Sequence, residues 1–297
     1  MRSALLLNHG ATRAAAMRID RAPAAFWLAL QAAALWPTWR WMAARWADGS
    51  DDPVGLLAIA ALAALLWSVR DQLRYTPRTP WVVAALAGTL AATVLRGAVA
   101  PLITSLVATL ALACGLLAFL PESRRGAMRQ HSGVLWPAPR HAIAATPVLG
   151  LALLAPPLIA SLQFYAGYPL RVITAEASRW LLGAWFSVQR TGSSLLVDGQ
   201  LVIVDAPCSG VQMAWAGYFS ACAVALWAGR GNRSFLLRLP LVGICVLAGN
   251  VLRNSVLVAL AGSGPGASEA VHQGVGLVVL AAVVGAIAWG MARPERA

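Results

Sequence analysis

The stretch VHQGVGLVVLAAVVGAIAWGM, Val271 to Met291, decides the fold class. It holds no Asp, Glu, Lys or Arg, and as a helix it is long enough to cross a hydrocarbon core of roughly 30 Å, which needs ~20 apolar residues. Working outward, similar blocks recur at about 24–45, 54–70, 81–96, 98–120, 143–165, 208–228 and 237–260. The third and fourth read as a tight helical hairpin turning near Gly97 to Pro101. Composition agrees: of 297 residues 59% are hydrophobic and only 11% charged, against about 25% charged in a soluble domain. The expectation is an all-α, polytopic integral membrane helical bundle of about eight transmembrane helices.

The formal net charge is +12, and all 23 basic residues are Arg. Such a balance in a soluble chain would suggest nucleic acid. Here the Arg residues crowd short loops beside apolar blocks, which is the signature of membrane orientation, so no nucleic-acid partner is expected. Placing both termini in the cytoplasm puts most Arg inside, among them Arg70, Arg74, Arg78, Arg124, Arg125, Arg129, Arg230, Arg233, Arg238, Arg293 and Arg296. It also puts Asp48, Asp51, Asp52, Glu176, Asp198, Asp205 and Glu269 outside. Residues 1–23 then form a cytoplasmic tail with no long apolar run of the signal-peptide type. Residues 24–165 form a five-span region, 166–207 an outer lip, 208–291 a three-span region, and 292–297 a second cytoplasmic tail.

Within the lip, Val172, Ile173, Ala177, Trp180, Leu181, Ala184 and Trp185 recur at helical spacing, with Arg171, Glu176 and Arg179 between them. That predicts an amphipathic helix over 170–188 on the outer membrane surface. Asp198-Gly199 between two apolar runs, 194–205, predicts a hairpin.

Ionisable groups inside a membrane are costly and need partners or a wet cavity. Three stand out. Cys208, in Pro207-Cys208-Ser209-Gly210, opens the sixth span, where free backbone N–H groups favour a thiolate. Cys114, Cys222 and Cys245 lie inside apolar spans and read as structural. Arg253 lies ~12 Å below the outer end of the seventh span, and Asn250, Arg253 and Asn254 share one face at i, i+3, i+4 spacing. His272 opens the eighth span, with Gly276 one turn deeper. All three fall in the outer half of adjacent spans. A thiolate, a proton carrier and a cation for an oxyanion are the parts of covalent acyl transfer.

In that order, Pro207-Cys208-Ser209-Gly210, Asn250-Val-Leu-Arg253 and His272 resemble the exosortase/archaeosortase family of membrane cysteine transpeptidase-like enzymes. The clear likeness covers about residues 198–280; the first five spans match in character. The resemblance implies Cys208 as nucleophile, Arg253 as transition-state cation and His272 as proton carrier, with Asn250, Asn254, Ser209 and Gly210 in support. It implies exported protein substrates carrying a C-terminal sorting signal: a short motif of the Pro-Glu-Pro kind, a transmembrane helix and a basic tail. It implies a multi-pass protein of the bacterial inner membrane, in contact with lipid, its site facing outside, and a link to surface polysaccharide machinery. No cofactor is expected, and no metal, since Cys208 and His272 fall short of the three or four ligands of a zinc site. The alternative reading is a non-enzymatic transporter or polysaccharide assembly factor that binds an anionic solute through Arg253, Asn250 and Asn254.

Overall fold

The computed structural model describes residues 23–121, 143–203, 209–262 and 268–293. The chain is an all-α membrane helical bundle carrying one small sheet. The helices are α1 (Ala24–Ala34), α2 (Trp36–Ala47), α3 (Gly55–Val69), α4 (Thr79–Val94), α5 (Pro101–Phe119), α6 (Ala145–Leu154), α7 (Ile159–Leu182), α8 (Val211–Trp227), α9 (Asn232–Gly262) and α10 (Glu269–Ala292). Strands β1 (Val188–Thr191), β2 (Ser194–Val197) and β3 (Gln200–Ile203) lie between α7 and α8.

Every apolar block seen in the sequence contains helix. Among the described residues, four segments are by themselves long and apolar enough to cross a membrane: Gly55–Gln72, Pro101–Phe119, Asn232–Ala261 and Glu269–Ala292. A fifth is the pair α6 and α7 if taken together, bent by 92°. α1, α4 and α8 are shorter apolar helices. The first block is two helices, because Pro37 follows the junction at Leu35.

The expected fifth span, 143–165, breaks after Leu154, where Pro156 and Pro157 cannot supply helical N–H donors. α7 therefore starts at Ile159, well before the expected 170, and ends at Leu182. Broken backbone at membrane depth needs partners, and both sides of the break find them. Trp215 Nε1 on α8 donates to the Leu154 carbonyl at 3.1 Å. Asp51 Oδ1, from the α2–α3 loop, accepts from Ala160 N at 3.2 Å. Asp51 is buried, and that burial pushes its carboxyl pKa up.

The main core surrounds α8, with Met213, Trp215, Ala221 and Leu226 packed among Val148 and Leu151 of α6, Val242 and Val246 of α9, and Val283 and Ile287 of α10. Approach is close: a Cβ added at Gly217 would lie 2.6 Å from Val246 Cγ2. Small residues at crossings are how membrane helices pack.

The same rule governs the surface helix, whose apolar face turns away from the protein. Ile173, Leu181, Trp180 and Trp185 are exposed, the last two by 72% and 73%, while Gly167, Thr174, Ala175, Ser178 and Leu182 face the protein. Large apolar side chains need no protein cover in lipid, whereas hydroxyls need partners.

The predicted hairpin is present as β2–β3, with Val197 paired to Gln200 and a turn at Asp198 (φ 45°) and Gly199 (φ 86°). Two residues at positive φ make the type I′ geometry that Asp-Gly favours. β1 is an addition: residues 188–191, read at the end of the surface helix or beyond it, pair antiparallel with β2. Leu195 and Val197 pack on Ala175 and Leu182 of α7 and Leu257 and Val258 of α9. Glu176 ties β1 to α7: Oε1 accepts from Arg179 Nη2 at 2.6 Å, and Oε2 accepts from Arg190 Nε at 2.6 Å. Hydrogen bonds from Arg179, then Arg190, hold the Glu176 carboxyl down to about 2.

Gly199→Val should open the β2–β3 turn, because a β-branched residue at positive φ costs ~1–2 kcal/mol. Limited proteolysis should cut faster within 194–203, with the helical content unchanged. The depressed Glu176 pKa sets a second outcome. Its contribution is full above the ordinary carboxylate range and is lost only as pH falls through about 2. The protection factors of the 188–191 amides, corrected for intrinsic exchange, should therefore be the same at pH 8 and pH 6, and Glu176→Gln should lower them at both.

Candidate active site

The predicted residues that are described, Ser209, Gly210, Asn250, Arg253, Asn254 and His272, belong to α9, α10 and the start of α8. Cys208 and Pro207 lie outside the described residues. α8 begins at Val211, three positions after Cys208.

Gly210 caps α8 in the left-handed region, φ 82°. A Cβ there would stand 2.8 Å from Asn250 Cγ. Both the backbone angle and the space thus require glycine, and Asn250 lies directly against the start of α8. Ser209 is buried; its Oγ donates to Gln163 Oε1 of α7 at 2.8 Å and accepts from Val211 N at 3.3 Å. The segment that follows Cys208 is thereby fixed from both α7 and α9. A third tie comes from the α2–α3 loop, where Asp52 Oδ2 accepts from Gln212 Nε2 at 2.8 Å.

The three polar residues of α9 divide their work. Asn250 and Asn254, both buried, donate through Nδ2 to Thr174 Oγ1 and Ser178 Oγ of α7, each at 2.9 Å. Ser178 Oγ lies 3.4 Å from the Val251 carbonyl. Arg253 turns to α10 instead, its Nη2 3.3 Å from His272 Nε2. Its guanidinium lies over Gly276, where a Cβ would be 3.2 Å from Nε. Arg253 and His272 are both half-buried. Ser268 Oγ caps the helix that carries His272, accepting from Val271 N at 3.4 Å.

A guanidinium only donates. In this contact the His272 Nε2 lone pair is the acceptor, and the ring proton is on Nδ1. A fixed cation thus sits beside an imidazole that can take up and release a proton. Among the described residues no group of three His, Cys, Asp or Glu is placed to hold a metal ion.

The sequence reading did not single out Gln163, Thr174 or Ser178. A signal was present: Thr174 and Ser178 repeat the four-residue spacing of Asn250 and Asn254. Counting only apolar residues along α7 hid it.

Over residues 46–289 the sequence matches the family of transmembrane exosortases (Exosortase_EpsH). No curated protein and no solved structure matches the chain. The family match spans most of the chain and takes in α7, the sheet and all three site helices, so this protein belongs to the transmembrane exosortase family.

Proposed function

We propose that this exosortase is a membrane-embedded cysteine protease or transpeptidase that cleaves a C-terminal sorting signal on exported proteins at the outer face of the membrane. Family membership supports a protein-sorting, transpeptidase role in general. The observation that carries the finer reading is the 3.3 Å contact between Arg253 and His272, held on a scaffold that also fixes Ser209 and Gly210 just after Cys208.

In the proposed reaction His272 takes the proton of the Cys208 thiol, and the thiolate attacks the peptide carbonyl carbon beside the substrate's membrane helix, forming a C–S bond. The carbonyl oxygen takes up the negative charge, and the Arg253 guanidinium donates to it. The C–N bond then breaks as His272 passes a proton to the leaving amine, which departs with the helix and basic tail. Water or a cell-surface amine attacks the thioester and frees Cys208. The exposed aromatic side of α7 and the sheet lie where the signal would approach.

Charge placement favours the outer orientation. Arg70, Arg74, Arg78, Arg230, Arg233, Arg238 and Arg293 belong to the ends of the helices away from the sheet, while Asp48, Asp51, Asp52, Glu176, Asp198 and Glu269 belong to the sheet end. The proposed setting is the bacterial inner membrane with both termini cytoplasmic.

Two experiments test the proposal. A reporter active only outside the cytoplasm should be active when fused after Pro265 and silent after Gly231; the reverse would place the site on the cytoplasmic face. Arg253→Lys should leave the protein inserted and abundant but a tagged, membrane-tailed substrate almost uncleaved. Lys lacks the planar fork, and losing one oxyanion donor slows acyl transfer by about a hundred- to a thousandfold. Cys208→Ala should match it, and the double variant should be hardly worse, because the groups act as a unit. Near-normal cleavage by Arg253→Lys would remove its assigned role, and full function of Cys208→Ala would favour an anion transporter or assembly factor instead.

A further inference from the structure

A cavity of about 430 Å³ lies between α2 and the α4–α5 turn, lined among others by Thr38, Trp41, Arg96, Val99, Pro101 and Thr104. No residue of the proposed active site lines it. Three of its features attract an anion. Arg96 is exposed and makes no ion pair among the described residues. α5 opens there at Pro101, so the cavity receives the positive end of a 19-residue helix; the Ile103 and Thr104 N–H groups bond the Ala100 carbonyl, and it is the helix dipole that favours negative charge there. Thr104, one turn along α5, is only 6% exposed, and its hydroxyl has no hydrogen-bond partner among the described residues. A helical Thr usually returns its hydroxyl to the preceding turn, as Thr109 does onto the Ser105 carbonyl at 3.0 Å. Thr104 does not, and a buried hydroxyl without a partner is costly.

Depth and lining narrow the ligand. α4 has 16 residues, so it rises ~24 Å at 1.5 Å each, short of a ~30 Å hydrocarbon core. The turn carrying Arg96 thus lies near the level where headgroups meet acyl chains. Thr38 and Trp41 likewise sit well before the end of α2 at Ala47. Pro37, Trp41, Val99 and Pro101 give the cavity apolar walls that a free ion has no use for.

We propose that this cavity binds the phosphate headgroup of a membrane lipid. Arg96 donates to the phosphate oxygens beside the positive end of α5, the Thr104 hydroxyl donates to one of them, and the glycerol and first methylenes lie along Trp41 and Val99. This binding stands apart from the peptide chemistry and does not depend on it.

The test is calorimetric titration of the full chain in an uncharged detergent with three probes: dihexanoyl phosphatidylglycerol, dihexanoylglycerol without phosphate, and sodium phosphate. The phosphatidylglycerol should bind saturably at one site, with sodium phosphate competing weakly and dihexanoylglycerol silent. Arg96→Gln should weaken binding by about tenfold or more and Thr104→Val by about fivefold, as expected for a charged and a neutral hydrogen bond, while Arg233→Gln changes nothing. Thermal unfolding of each variant should match the parent, and Thr104→Val keeps the test intact should Arg96→Gln fold poorly. Unchanged affinity in both cavity variants, or equal binding of dihexanoylglycerol, overturns the proposal. Saturable binding of sodium phosphate with no gain from the lipid overturns the lipid as the phosphate's source.

Discussion

Two amide-to-hydroxyl hydrogen bonds, Asn250 to Thr174 and Asn254 to Ser178, join α9 to α7. Much of the site depends on them. Four buried polar side chains at membrane depth would each carry a desolvation cost if left alone. Paired in register, they satisfy one another and fix the rotation of α9. That rotation directs Asn250 at Gly210, and it turns Arg253 toward α10, where His272 stands. Directional bonds in an apolar setting thus achieve what burial alone cannot, since lipid and a neighbouring Leu are equally good cover for an apolar side chain.

Arginine plays two roles in this chain. At the end of the bundle away from the sheet, Arg230 and Arg238 donate to carbonyls at the C-terminus of α10, such as Met291 and Gly290, where a cation also complements the helix dipole. Arg78 similarly reaches the Leu117 carbonyl near the end of α5. At the sheet end, Arg179 and Arg190 pair with Glu176 and staple secondary structure together. Arg253 belongs to neither set: it lies in the body of a helix and meets an imidazole.

The membrane class was legible because a block such as Val271 to Met291 has only one economical environment. The order of site residues along the chain was legible from their polarity against that background. The Asp198-Gly199 turn was legible because few residue pairs tolerate two positive φ values. What escaped were features set by tertiary partners. The break after Leu154 looked like apolar continuity, since the groups that satisfy it, Asp51 and Trp215, come from distant parts of the chain. β1 holds Gln189 and Arg190, so it carries little strand signal of its own and exists because β2 offers an edge. The polar stripe of α7 escaped as well, because Thr174 and Ser178 find their partners on α9, far along the chain.

The α2–α3 loop also bears on the order of assembly. Asp51 accepts from a backbone N–H 109 positions later, and Asp52 holds Gln212, which is 160 positions away. During synthesis this loop is made long before its partners. The starts of α7 and α8 cannot be closed until the first two helices stand in their final places. The N-terminal region is thus the template on which the last third of the chain is completed, and a fragment holding only residues 208–291 would lack the Asp52 clamp on Gln212.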